Sequence, residues 1–117
     1  MKLVNLTPHT ISLPNGTTIE PTGYVARANL HSHQLMEWQG VTFFSSELRS
    51  ISNVPPPETE TYYIVPVIVR VNMPERSDLI SPTRLIRNNK GEVVGCGAFE
   101  VNAGFGQKGG SEWSTRK

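Results

Sequence analysis

The segment Thr61 to Met73, TYYIVPVIVRVNM, is the most apolar run of the chain and has to supply much of any core, yet a proline stands in its middle. Pro66 brings no backbone donor, so one uninterrupted central strand does not fit. Two arrangements remain: an edge strand, or a strand through Val65 followed by a short helix that Pro66 begins. The fixed φ of proline suits a first helical turn and favours the second. The β-branched Val67, Ile68, Val69 and Val71 keep the first open. Pro74 ends the element in either case.

The remainder of the chain is patterned mostly as strand and turn. Lys2–Leu6 forms a first strand with Leu3 and Val4 in the core. Thr10–Leu13 and Thr17–Glu20 flank Pro14-Asn15-Gly16, a hairpin signal because Asn-Gly supplies positive φ angles. Pro21-Thr22-Gly23 turns the chain into a strand over Tyr24–Leu30, where Tyr24, Ala26 and Ala28 share one face and Val25, Arg27 and Asn29 the other. His31–Gly40 is expected as a loop or irregular helical turn, Val41–Phe44 as a short strand, and Ser45–Leu48 as the start of a helical turn. Asn53–Glu60, with Pro55-Pro56-Pro57, reads as a stiff extended connection. A last hairpin joins Arg84–Arg87 to Glu92–Cys96 through Asn88-Asn89-Lys90-Gly91. Gly95 and Gly97 flank Cys96 and allow a bulge or the close approach of another backbone or ligand.

These elements predict a mainly β domain with a minor helical part: a small twisted barrel or two packed sheets, with one or two short helices. A chain of 117 residues suits a single core. The globular part is expected over 1–101, with 102–117, rich in glycine and polar residues, as a mobile tail.

Composition removes several function classes. A net charge of +1, with 18% charged residues, argues against a broad nucleic-acid footprint. No apolar run reaches membrane-span length, no secretion signal opens the chain, and the reading is of a cytoplasmic protein. The single cysteine excludes an internal disulfide framework and a cysteine-rich zinc site. There is no P-loop, dinucleotide-binding glycine fingerprint, nucleophile elbow or HExxH motif, and no cofactor or catalytic residue is assigned.

Chemistry concentrates in Arg76–Cys96. Arg76, Arg84 and Arg87 are fixed cations able to fork onto phosphate or carboxylate, and Asp78, Ser81 and Thr83 can orient them or bind sugar hydroxyls. Arg84 and Arg87, three residues apart, face oppositely on a straight strand, so only one enters a pocket unless the strand is bulged.

The residues Asn5-Leu6-Thr7-Pro8-His9, Gly23, Val25-Ala26-Arg27, Tyr63-Ile64-Val65, Arg76-Ser77-Asp78-Leu79, Pro82, Arg87 and Gly91–Cys96 resemble a group of small, mostly uncharacterised phage and bacterial proteins that begin with an NLTPH-type segment. The resemblance runs to about Ala98, is weakest over His31–Ser52, and implies an origin rather than an activity. Matching its pattern makes Arg87 the preferred pocket arginine.

Each candidate carries a structural alternative. His9 can donate to a phosphate or act as a base, or with Thr7 can stabilise a turn. Arg76 and Asp78 can bind a ligand or pin the segment after Pro74 as an ion pair. Arg27 can face inward to phosphate or lie on the surface. Of Tyr62 and Tyr63, one is expected in the core and the other free to stack on a base. Trp38 can stack, but a tryptophan in a small domain more often packs in the core. His31 and His33, with His9 and Glu37, can make a metal site only if the fold gathers them; a solvated pair is simpler, and no metal is assigned. Cys96 is most simply a small buried residue.

The leading expectation is a non-enzymatic binder of a phosphate-bearing small molecule, such as a phage sponge for a nucleotide immune signal. Its site would comprise Thr7, His9, Arg27, Tyr63, Arg76, Asp78 and Arg87, closed in a homo-oligomer. The alternatives are a protein-interaction module, either a phage inhibitor or an assembly protein, and a small nucleotide hydrolase.

Overall fold

Pro66 divides its segment as the helix alternative requires. In the computed structural model, which describes residues 1–106, Thr61–Ile64 is a strand (β6) and Val67–Val71 a five-residue helix (α1). Pro66 caps the helix at φ −59° and ψ 149°, and its carbonyl accepts the backbone N–H groups of Val69 and Arg70. The missing N–H falls where a helix has no use for it.

Every residue of β6 is buried, which follows from its position. It pairs in parallel with β1 (Lys2–Asn5) on one edge and β7 (Leu79–Arg87) on the other. β8 (Val93–Val101) continues antiparallel to β7, and the small hairpin of β2 (Ile11–Ser12) and β3 (Thr18–Ile19) completes a six-stranded sheet ordered β1-β6-β7-β8-β2-β3. The sheet rolls until its edges meet, and a parallel bridge joins Asn5 to Pro21, just past β3. The described residues are thus mainly β, with one short helix.

Both faces of the central strands are covered. Leu3, Ile11, Tyr62, Ile64, Ile80 and Cys96 pack together on one face of the rolled sheet. Leu6, Tyr63, Val65 and Leu79 pack on the other face under Val69 of α1 and Ala26. Tyr62 and Tyr63 are each 2% exposed, so neither is free to stack on a base. A strand buried on both faces leaves no solvent side for either ring.

The closure rests on one buried side chain. Asn5, 1% exposed, donates from Nδ2 to the carbonyls of His9 and Ile19 at 2.8 and 3.0 Å. Its Oδ1 accepts the backbone N–H and the hydroxyl of Thr7 at 2.9 and 2.7 Å. Its own carbonyl accepts the N–H of Thr22. One amide therefore ties the end of β1, the following turn and the far edge of the sheet, with its side-chain bonding capacity filled.

The signalled turns form. Around Pro14-Asn15-Gly16, Leu13 N–H donates to the Thr17 carbonyl and Gly16 has φ 90°. Gly95 provides close approach, but to backbone: an added Cβ would land on the Ser12 carbonyl oxygen, and this is where β2 meets β8.

The expectation for His31–Leu48 is corrected. In place of a loop, a short strand and a helical turn, two twelve-residue strands, β4 (Arg27–Trp38) and β5 (Val41–Ser52), form a separate hairpin arm. Gln39 and Gly40 make the turn with φ 49° and 78°, the pair of positive angles a tight hairpin needs. Only the root of the arm packs on the body, through Ala28 and Ile51. Packed structure also continues past Val101: Asn102 is 8% exposed and the Phe105 ring lies 5.0 Å from that of Tyr62. The rest of the expected tail, 107–117, lies outside the described residues.

Replacing Asn5 by Ala strands two carbonyls and the Thr7 donors inside the protein. We expect a loss of about 3 kcal/mol, read as a lower urea midpoint with an unchanged slope.

Candidate functional site

The arginines expected to share a pocket do different jobs in different places. Arg76 forks onto Asp78, Nε to Oδ1 at 2.8 Å and Nη2 to Oδ2 at 2.9 Å. The same Nη2 donates to the Pro55 carbonyl at 2.8 Å. Asp78 is buried and the Arg76 side chain is 15% exposed. The hydrogen bonds to Asp78 push the guanidinium pKa above its ordinary value, as expected where a carboxylate accepts in forked geometry. The pair clamps the Pro55–Pro57 connection to the start of β7, and the local structural alternative is what the geometry shows.

Tyr63 joins the same clamp, its hydroxyl donating to the Pro56 carbonyl at 3.2 Å. Burial, then Glu58 and Asp78, raise its pKa, and Arg76 opposes them. Arg87 stands at the other end of β7, roughly 26 Å from the Asp78 end at strand rise. It is exposed and donates to the Gly91 carbonyl at 2.9 Å within its own turn. Arg27 is exposed at the root of the arm, opposite Ser52. Thr7 is held by Asn5, and only the backbone of His9 is hydrogen-bonded. The seven residues do not converge: Arg76, Asp78 and Tyr63 form one clamp, Thr7 and His9 share a groove, and Arg27 and Arg87 stand apart.

A cation that sequence reasoning passed over is equally enclosed. Arg70 of α1 donates from Nε to the Ser81 hydroxyl at 2.7 Å and from Nη1 to Asn102 Oδ1 at 3.0 Å. Asn102 Nδ2 returns to the carbonyls of Arg70, Met73 and Arg76. Ser81, a candidate for sugar hydroxyls, is fully buried in this network.

Concavities on the body include a small one of about 260 Å³ beside the Pro14-Asn15 turn and two others. A groove of about 280 Å³ is lined by Thr7, Pro8, His9, Thr10, Pro66 and Leu85 among others. A cavity of about 450 Å³ sits at the root of the arm, between Leu6, Tyr24, Val54 and Pro55. Among the described residues, no lysine, arginine or carboxylate lines either one. Among the described residues no cluster of histidine, cysteine and carboxylates can hold a metal. His31 and His33 stack on each other with centroids 6.2 Å apart. Cys96 is buried, and that burial raises its thiol pKa.

The arm carries a run of exposed apolar side chains. Trp38, expected in the core, is 56% exposed at its tip. Trp38 pairs with Val41 and Met36 with Phe43, so these four apolar side chains share one face. Phe44, opposite Gln34, falls on the other face, and Leu35 is the extra residue of a bulge. All six are exposed.

Comparison with family models, curated proteins and solved structures finds no match for this chain. Among the described residues, no helix is long and apolar enough to cross a membrane.

Arg76→Ala leaves Asp78 buried beside a vacated cation site and should cost about 3–5 kcal/mol. Arg87→Ala, on the surface, should stay within about 0.5 kcal/mol. Chemical denaturation of both separates a clamp from a pocket. The raised Tyr63 pKa adds a pH signature. Folding favours the protonated phenol, so its contribution is complete below the ordinary value of 10.0 and lost as pH rises through the folded value. Tyr63→Phe should flatten the fall in stability above about pH 10.

Proposed function

We propose that the chain is a protein-interaction module, an inhibitor or assembly protein, that engages its partner through the β4–β5 arm. One observation carries this reading: a twelve-by-twelve hairpin stands off the body with Met36, Trp38, Val41 and Phe43 exposed together at its end. Buried aromatic anchors dominate protein interfaces, and a tryptophan beside a phenylalanine, ringed by polar strand, has that composition. The shaft below alternates polar contacts, Ser32 with Ser46 and Asn29 with Ser50, with one exposed apolar pair, Leu30 opposite Leu48. The aromatic side chains stand towards the end of the arm.

Sequestration of a phosphate-bearing molecule is less well supported, because the cations it needs are committed to Asp78 and Ser81 or held at separate surfaces. The groove that contains Thr7 and His9 still favours a small, mostly apolar ligand as a second reading. A hydrolase reading finds less support: among the described residues, His9 is hydrogen-bonded through its backbone.

A photo-crosslinking residue placed at Phe43 should capture a protein adduct when the chain is expressed in its host, whereas one at Lys90, on the opposite hairpin, should not. The adduct should vanish when Trp38 is changed to Ser. Equal capture from both positions would overturn the assignment of the arm.

A further inference from the structure

The groove beside Thr7 and His9 lies where β6 gives out. β6 stops at Ile64, and carrying its register of Ile64 with Ile80 two residues further would set Pro66 opposite Pro82. Neither proline has an N–H to extend the ladder. Pro66 turns into α1 instead, and both prolines line the groove.

The walls are built in advance of any ligand. Asn5 holds the Thr7–His9 turn on one side. On the other, β7 supplies both Pro82 and Leu85. Three residues apart, these two would face oppositely on a straight strand. Arg84 between them lies at φ 51°, and Gly97, between the partners of Leu85 and Thr83, leaves it room. A left-handed arginine is a strained conformation, and strain held in place beside a cleft points to use of that cleft. Its effect here is to bring Leu85 to the same groove as Pro82.

The lining is mostly carbon: Pro8, Pro66, Val67, Pro82 and Leu85 contribute, and no lysine, arginine or carboxylate among the described residues does. Thr7 and Thr10 also line it, but their hydroxyls donate to Asn5 Oδ1 and Glu20 Oε1. His9 adds an exposed imidazole. A phosphate or carboxylate entering here would lose water with no arginine or lysine to meet it.

We propose that this groove binds a small uncharged aromatic molecule of about the size of indole, its ring against the prolines and Leu85 and one polar ring atom hydrogen-bonded to His9. This deepens the second reading, of a small apolar ligand in the groove, and rests on it, independently of the arm. The volume of about 280 Å³ equals that of roughly nine waters in the liquid, which suits a bicyclic ring and is small for a nucleotide. Proline rings pack well on aromatic faces, the contact by which proline-rich peptides lie in aromatic grooves. A peptide strand fits less well, because Pro82 lacks a donor and Arg84 the extended conformation that strand addition along β7 needs.

The test is a titration of the ¹⁵N-labelled full chain with indole, followed by amide shifts. Thr7, His9, Ile11, Val67 and Leu85 should move and saturate at about millimolar indole or below, in line with a ligand of so few atoms. Trp38 and Val41 at the tip of the arm should stay in place. Leu85→Glu and Val67→Glu, on two different elements and both at exposed positions, should each weaken binding by about tenfold or more with circular dichroism unchanged, since each sets an unpaired carboxylate against the ring. His9→Ala should weaken indole by roughly three- to tenfold, the loss of one hydrogen bond, and leave indene, the same two rings without the N–H, unaffected. Shifts of these amides with inorganic phosphate and none with indole overturn the proposal, and so does an indole affinity indifferent to both glutamate variants. Cyclohexanol bound as tightly as indole sinks the aromatic class and leaves the groove a site for apolar ligands. No shift with any of these probes overturns the proposal and removes the second reading with it.

Discussion

The rolled sheet depends on the amide of Asn5. A sheet whose end strands have only two to four residues gains little from ladder hydrogen bonds at its seam, and here the seam is a single bridge. The Asn5 side chain supplies what the ladder does not, holding His9, Ile19 and Thr7 at once. This gives physical content to the Asn5–His9 segment. Asn5 and Thr7 lock each other, Pro8 turns the chain, and His9 contributes a carbonyl rather than an imidazole. Once the seam is closed, the face that carries Ile11 and Ile64 is sealed, and the groove beside Thr7 takes its shape.

The charged groups follow the same inward logic. Arg76 and Arg70 each sit where a connection must be fastened to β7, and each finds a short polar partner at the start of that strand, Asp78 and Ser81. A forked guanidinium does this well because it reaches a side chain and a carbonyl together. The donors that make arginine an anion ligand are then already used. Arg76 and Arg70 are thus structural, while Arg84 and Arg87 stay exposed on β7, and the net charge of the chain is close to neutral.

Much of the body was legible. Pro66 announced its strand-to-helix break, Asn15-Gly16 and Asn88–Gly91 their turns, and Gly95 its close backbone approach, because each signal is a local steric fact about one residue. The mainly β class followed from them. The arm was not legible, for a reason visible in its register. Leu35 and Arg49 are inserted as bulges, one in β4 and one in β5, so the alternation of apolar and polar residues that marks a strand slips once in each twelve-residue strand. Beyond Ala28 and Ile51 at its root the arm does not pack on the described body, so no pattern of burial had to be written along it. Gln39-Gly40 between Trp38 and Val41 was the one available sign of a hairpin. The residue types of the candidate site were likewise readable while their convergence was not, since Arg76 and Arg87 lie at opposite ends of one strand.

The bulges that hid the arm also limit what it can do. An exposed two-stranded ribbon invites open-ended strand addition, and soluble proteins usually guard such edges with lysine, proline or inserted charge. Between Arg27 and Ser52 there is no lysine and no proline, and exposed apolar residues lie towards the tip and, as Leu30 opposite Leu48, nearer the root. What remains as protection is the pair of bulges, which break the run of edge donors and acceptors on each strand before a long ladder can form. An element interrupted in register, with a charged residue at one of its bulges, suits one discrete partner of matching twist better than an endless stack. Its side chains, rather than its edges, would then carry the specificity.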